Sequence, residues 1–154
     1  GQSTDGFVLT TKGAGANPVW ASAGGATVEI DSASLTSAFT TTATSPTVVT
    51  GVQITIANIT SGSVIINCVL ECNADGTGGI QSELEDDSTY IAGTGRASEV
   101  TNTSQWWNMS MNHVMASDGS VVRAMVWNGG NTVTVRGGTG SETPTSNIVS
   151  LGVG

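Results

Sequence analysis

Charge is what this chain has least of. Only 10% of its residues are charged, four Lys and Arg stand against 12 Asp and Glu, and the formal net charge is −8. A surface that tracks phosphates needs clustered cations, so nucleic acid is not an expected partner. Lys and Glu, the usual material of surface helices, are scarce, while Thr, Ser and Gly dominate. That balance suits strands and turns, and the expected class is all-β. Histidine occurs once and no CxxC is present, which leaves a zinc site almost no ligands. No apolar run is long enough to cross a bilayer and no secretory leader is evident, so no membrane insertion is expected. The sequence opens at Gly1 without Met, which points to a fragment or to part of a longer chain.

Cysteine is limited to Cys68 and Cys72, four residues apart in what reads as one strand. At about 3.3 Å per residue their Cα atoms would lie about 13 Å apart, too far for a disulfide. Equal parity puts them on one face with Val64, Ile66 and Leu70 as buried thiols, the expectation for a chain that folds in a reducing cytosol. At 154 residues the chain suits one domain with a short appendage, and needs no covalent staple.

What is present is alternation. Val52, Ile54 and Ile56 alternate with Gln53, Thr55 and Ala57, and Ser63–Asn73 is the most hydrophobic strand, with Ile65 and Val69 opposite the cysteines. Apolar residues on both sides of that strand predict that both its faces are covered. Val28–Ile30, Leu35–Thr42, Ile80–Leu84, Thr89–Ala92, Thr132–Arg136 and Asn147–Val153 read as further strands. In the last, Val149, Leu151 and Val153 are expected to face inward. Residues 85–105 otherwise show no periodicity and read as a long loop.

The clearest local signal is WNMSMNHVMASDGSVVRAMVW, residues 107–127, two alternating runs around Asp118-Gly119. That pair favours a type I′ turn and predicts a hairpin in which Met115 faces Val122, His113 faces Ala124 and Met111 faces Val126. The other side carries Val121, Arg123, Met125 and Trp127, a mixed surface that suits a subunit interface.

Strands this short, with turn signals every 8–12 residues or so, predict an antiparallel jelly roll or β-sandwich. The division expected is an N-terminal arm or stalk junction over 1–25 and a head domain over 26–154. The arm's Phe7, Leu9 and Trp20 must pack on something, and are candidates for anchoring.

The segment TDGFVLTTKGAGANPVW, residues 4–20, resembles the element that joins stalk to distal head in fibre proteins of tailed bacteriophages. The order of the last elements, closing on NIVSLGVG, resembles tumour-necrosis-factor-like jelly-roll heads of phage fibres and related virion proteins. These resemblances imply a homotrimeric virion protein, a tail fibre, head fibre or capsid decoration, assembled in the host cytoplasm. They imply attachment or adhesion rather than catalysis, with other virion proteins as partners through the arm.

Candidate chemistry is thin. His113 falls on the inward face between Met111 and Met115, the setting of a buried structural histidine rather than a catalytic one. Glu83, Glu85, Asp86 and Asp87 lack the spacing of a Ca²⁺ loop and read as a solvated charge run. The same carboxylates could act as a glycosidase pair, the alternative of a glycan depolymerase domain. Trp106 points outward where Trp107 points in, on the side that the hairpin would share with Trp127. Trp106 or Tyr90 could stack on a sugar ring while Arg96, Glu99 and Asn102 bond its hydroxyls, the alternative of a carbohydrate-binding module recognising a host glycan. A capsid-stabilising cement protein is a further option. The Asn-x-Ser/Thr triplets at Asn58, Asn102 and Asn108 are expected by chance in so Thr-rich a chain. No cofactor, no metal and no catalytic residue is expected.

Overall fold

A computed structural model describes residues 7–10, 15, 17, 19–22, 28–56, 63–100, 105–116, 119–138 and 146–153. Every regular element among them is a strand: β1 (Phe7–Thr10), β2 (Val19–Ser22), β3 (Val28–Ser34), β4 (Phe39–Thr41), β5 (Thr47–Thr55), β6 (Ser63–Ala74), β7 (Gly78–Asp86), β8 (Thr89–Tyr90), β9 (Arg96–Val100), β10 (Trp107–Ala116), β11 (Val121–Asn128), β12 (Val133–Val135) and β13 (Asn147–Val153). No helix among the described residues is long and apolar enough to cross a membrane.

The longest strand sets the frame. In β6 the residues Val64, Ile66, Cys68, Leu70, Cys72 and Ala74 are all buried, and those between them point the other way. One edge of β6 pairs with β10 from Ser63 to Cys72, and the other pairs with β13 and then β12. β3 closes on β13 and β4 on β12, all antiparallel. In the second sheet β11 lies between β5 and β7, and β7 carries β9 and β8 on its far edge. Taken in chain order as one to eight, the strands β3, β5, β6, β7, β9, β10, β11 and β13 run 1-8-3-6 across the first sheet and 2-7-4-5 across the second. That interleaving is the jelly roll, in which the chain passes from sheet to sheet at nearly every step.

The predicted hairpin does not form. β10 belongs to the first sheet and β11 to the second, so Met115 lies opposite Val64, His113 opposite Ile66 and Met111 opposite Cys68. The chain crosses between sheets after β10, and Gly119 takes a left-handed φ of 82° in that crossing. Asp118 itself lies outside the described residues. A short turn signal is a local preference, whereas β6 and β7 each offer a whole strand edge. Long-range pairing wins, and Ile56 N–H donates to the Ser120 carbonyl at 2.8 Å where the crossings meet. The inward parity nevertheless holds on both strands, because a residue's face does not depend on its partner: Met109, Met111, Val122, Ala124 and Val126 are buried between the sheets.

Three further expectations change. Ile65 is half exposed, so the outer face of β6 is not covered within the chain. In β13 the parity is reversed: Ile148 and Ser150 are buried, and Leu151 is exposed. The 85–105 stretch holds a second strand, β9, whose sequence RASEV has no apolar alternation and which pairs through its backbone with Gly78–Ser82. β13 is nonetheless an interior strand of its sheet, lying between β3 and β6.

Cys68 and Cys72 are free and buried on the core face, and burial, with Glu71 alongside, pushes the Cys72 thiol up to about 12. Burial likewise raises the Cys68 thiol, with Cys72 adding to it. β1 and β2 form a separate two-stranded ribbon in which Leu9 lies opposite Trp20 and Phe7 opposite Ser22.

The turn after β6 is tied down by Asp75, whose carboxylate accepts the Thr132 N–H at 2.8 Å while its own N–H donates to the Thr132 carbonyl at 3.1 Å. The hydrogen bonds from Thr132 hold this carboxyl below its ordinary value of 3.8. A depressed carboxyl stabilises the fold above its unfolded-state pKa, and that contribution is lost as pH falls through the folded-state value. Wild type should therefore exceed Asp75→Asn in urea resistance near neutral pH, and the gap should close below about pH 4. A gap of equal size in strong acid would remove the carboxylate's charge from the account.

Candidate functional site

Trp106 sits just before β10 and is 39% exposed. Its position follows from β6, because Cys72 pairs with Trp107 on one side and with Val135 on the other. The residues flanking those pairs meet across β6 on the outer face of the first sheet. There the Arg136 guanidinium lies 4.0 Å from the Trp106 ring centroid, and Arg136 Nη1 is 3.2 Å from Glu71 Oε2. Asn73 Nδ2 donates to the Gln105 carbonyl at 2.6 Å, and Arg136 N–H to the Glu71 carbonyl at 2.8 Å. A cation over an indole face is worth about 0.5–2 kcal/mol depending on solvent access. Arg136 was not a candidate from sequence; the two residues are far apart in the chain, and only the double pairing of β6 brings them together.

Tyr90 and Arg96 lie elsewhere, at the far edge of the second sheet, and they close on the loop between β8 and β9. Tyr90 Oη accepts the Gly93 N–H at 3.3 Å. Arg96 Nη1 donates to the carbonyls of Gly95 at 2.8 Å and Gly93 at 3.2 Å, and its Nε donates to the Ser110 carbonyl at 2.8 Å. The guanidinium thus clamps this loop to the edge strand β10 of the first sheet. Thr94, fully buried, anchors the loop from inside: its hydroxyl donates to the Ile91 carbonyl at 2.7 Å and accepts the Leu84 N–H at 3.0 Å. Nothing in the sequence singled it out. Glu99 is exposed on β9 opposite Gly79, and Asn102 lies outside the described residues. The described members of the expected sugar platform are therefore divided, with Trp106 beside Arg136 and with Tyr90 and Arg96 engaged by backbone.

Val121, Arg123, Met125 and Trp127 do share the outer face of the second sheet, although Trp106 is on the outer face of the first. Arg123 lies opposite Glu85 on β7 and Gln53 on β5. Met125 is only 5% exposed, because the register with β5 shifts between Arg123 and Met125 and the extra β5 residues bend at Gly51, φ 98°. The acidic run divides as well. Glu83 and Glu85 point outward on β7, and burial followed by Glu85 raises the Glu83 carboxyl. Asp87, in a turn with a left-handed φ of 43°, accepts the Val121 N–H at 3.1 Å. Phe7, Leu9 and Trp20 are placed by the ribbon's register alone.

The apolar surface lies on the first sheet. Ile30 is 67% exposed, Val114 58%, Ile65 50% and Leu151 39%. Register makes these four one row: Ile30 opposite Leu151, Leu151 opposite Ile65, and Ile65 opposite Val114. The next row is Ser32, Val149, Asn67 and Asn112, in which Asn67 Nδ2 donates to Asn112 Oδ1. A third holds Ser34, Asn147, Val69 and Ser110. None of the three contains a charge.

No protein-family model matches the chain, and no curated protein matches it in sequence. Among solved structures it is similar to dimeric latent PorU from Porphyromonas gingivalis, with a TM-score of 0.51 at 11% identity over 84% of this chain. The chain spans 13% of that protein's length. Lower similarities are found to the structure of infectious bursal disease virus Gx strain, with a TM-score of 0.38 at 13% identity, and to the VP2 subviral particle of the same virus, with 0.33 at 15%. Those cover 94% of this chain and 36% and 37% of theirs. The likeness to PorU is one of fold, and the fold is an all-β sandwich of two antiparallel sheets.

Proposed function

We propose that this chain is a non-catalytic structural protein of a bacteriophage virion, a multimeric jelly-roll head that serves attachment or adhesion at the end of a short anchoring arm. The observation that carries the reading is the uncharged, partly apolar outer face of the first sheet. A chain with a formal charge of −8 that keeps an open row of Ile, Leu, Ile and Val free of charge is suited to packing against other protein. The order of parts supports it: the phage-like segment contributes β1 and the first two residues of β2, and the jelly roll follows that ribbon. A two-stranded ribbon is marginal on its own in water. It therefore suits an anchor that is completed by a neighbour, whether tail, head fibre or capsid.

The test is recruitment to particles. The full chain should bind phage particles that lack their own copy, and a chain without residues 1–25 should lose that binding while keeping the circular dichroism and melting of the head. Undiminished binding by the truncated chain would sink the anchoring role, and failure of the full chain to bind any virion assembly would sink the virion reading.

A further inference from the structure

We propose that the outer face of the first sheet, centred on the row Ile30–Leu151–Ile65–Val114, docks a second copy of this chain. This deepens the multimeric reading above and rests on it, naming the face that the copies share.

Two observations choose the occupant. The first is charge. Twelve acidic residues against four basic ones make any two copies repel, so they can meet only where the carboxylates are absent. The three outer rows across β3, β13, β6 and β10 carry none, and beyond them Glu71 is already paired with Arg136. A basic partner would be drawn instead to Glu83 and Glu85 on the outer face of the second sheet, or to Glu99 at its edge. The second observation is extent. β3 and β13 are 7 residues long, β6 is 12 and β10 is 10, so at about 3.3 Å per residue and about 4.8 Å between strands the face covers roughly 570 Å². That is close to the lower end of the area per partner of a stable interface, about 600 Å².

The row also has the composition of an interface centre, with aliphatic side chains in the middle and Ser and Asn on the neighbouring rows. The other candidate face offers less. Met125 is covered by its own chain, and Val121, Arg123 and Trp127 are half-buried.

The experiment measures the mass of the full chain by light scattering from about 1 μM to about 500 μM. Val114→Lys and, separately, Ile30→Lys place a cation on the row from opposite edges of the sheet. Both positions are exposed, so the long side chain can reach water in the free protomer. Thr55→Lys puts the same charge on the second sheet as a control, and melting curves confirm that each variant is folded. The wild type should be a multimer, the two row variants should dissociate with at least a tenfold weaker association, and Thr55→Lys should keep the wild-type mass. Retention of the multimer by both row variants would overturn the proposal, as would dissociation by Trp127→Ala in their place. A wild type that stays monomeric throughout would overturn it too. If that monomer still binds particles through its arm, self-association fails while the virion reading survives.

Discussion

Ile66→Ala should cost this protein about 2–5 kcal/mol of folding stability, while Ile65→Ala, one residue away on the same strand, should cost under about 1 kcal/mol in the dilute chain. The two side chains are chemically identical and sit in the middle of β6. Ile66 is fully buried between the sheets, beside Val64 and Cys68, and Ile65 is 50% exposed on the outer row. Truncating Ile66 removes three carbons from a close-packed interior and leaves a cavity that strands held on both edges cannot collapse. Against a total of about 5–15 kcal/mol for a domain of this kind, such a loss is visible as a large fall in the urea midpoint with little change in slope. Equal costs for the two would mean that the inside and outside of the first sheet are wrongly assigned. The pair also reports on association. Burial of Ile65 by a second copy would make its truncation more costly as protein concentration rises, and the cost at Ile66 would not share that dependence on the same scale.

The strands that could be read in advance are those whose two faces differ. Val52, Ile54 and Ile56 announce their inward side because Gln53 and Thr55 alternate with them, and Val64, Ile66, Cys68, Leu70 and Cys72 do so because Asn67 and Glu71 interrupt the opposite face; all eight are buried. β13 could not be read this way. Two of its large side chains, Val149 and Leu151, point away from the core, while the inward side holds one large residue, Ile148, with Ser150 and Gly152. Hydropathy chooses the wrong parity when the outer face is itself apolar, so the misreading of β13 and the open row on the first sheet are one fact seen twice. β9 was invisible for another reason. It is an edge strand held by backbone pairing and by Arg96, and neither leaves a pattern of apolar residues. The Asp-Gly signal after β10 marks the end of a strand and not a hairpin, since no local residue says which sheet edge the next strand will take. The grouping of Trp106 with Arg136 and Glu71 depends on β6 pairing with two strands at one residue, information that lies in the topology alone.

Gly137→Ala should be far more damaging than the same methyl group at Gly119 or Gly129, with a loss of about 1–3 kcal/mol or more. After β12 the chain is held on three sides: Arg136 N–H donates to the Glu71 carbonyl at 2.8 Å, Gly138 N–H to the Leu35 carbonyl at 3.0 Å, and Ser146 N–H to the Arg136 carbonyl at 3.1 Å. A Cβ at Gly137 would press on the Ser37 carbonyl oxygen, lie 2.7 Å from its carbon and 2.8 Å from Leu35 Cγ. Two of those atoms are backbone, so the 35–38 segment or the 136–138 segment must move, and the Gly138–Leu35 hydrogen bond between them, with those that tie Arg136 to Glu71 and Ser146, resists either. Gly119 isolates the other cost of a methyl group. With φ 82° and nothing within 4 Å, Gly119→Ala meets no neighbour and bears only left-handed strain, about 1–2 kcal/mol. Gly129 has neither burden; nothing lies within 4 Å and its φ is not in that region, so alanine there should be neutral or stabilise by up to about 1 kcal/mol. The order Gly137, Gly119, Gly129 in urea midpoints, measured on one preparation, is the expected result. A Gly137→Ala protein as stable as Gly129→Ala would mean that Leu35 and Ser37 do not pack against the end of β12, and with them would go the closure of the sandwich at that corner.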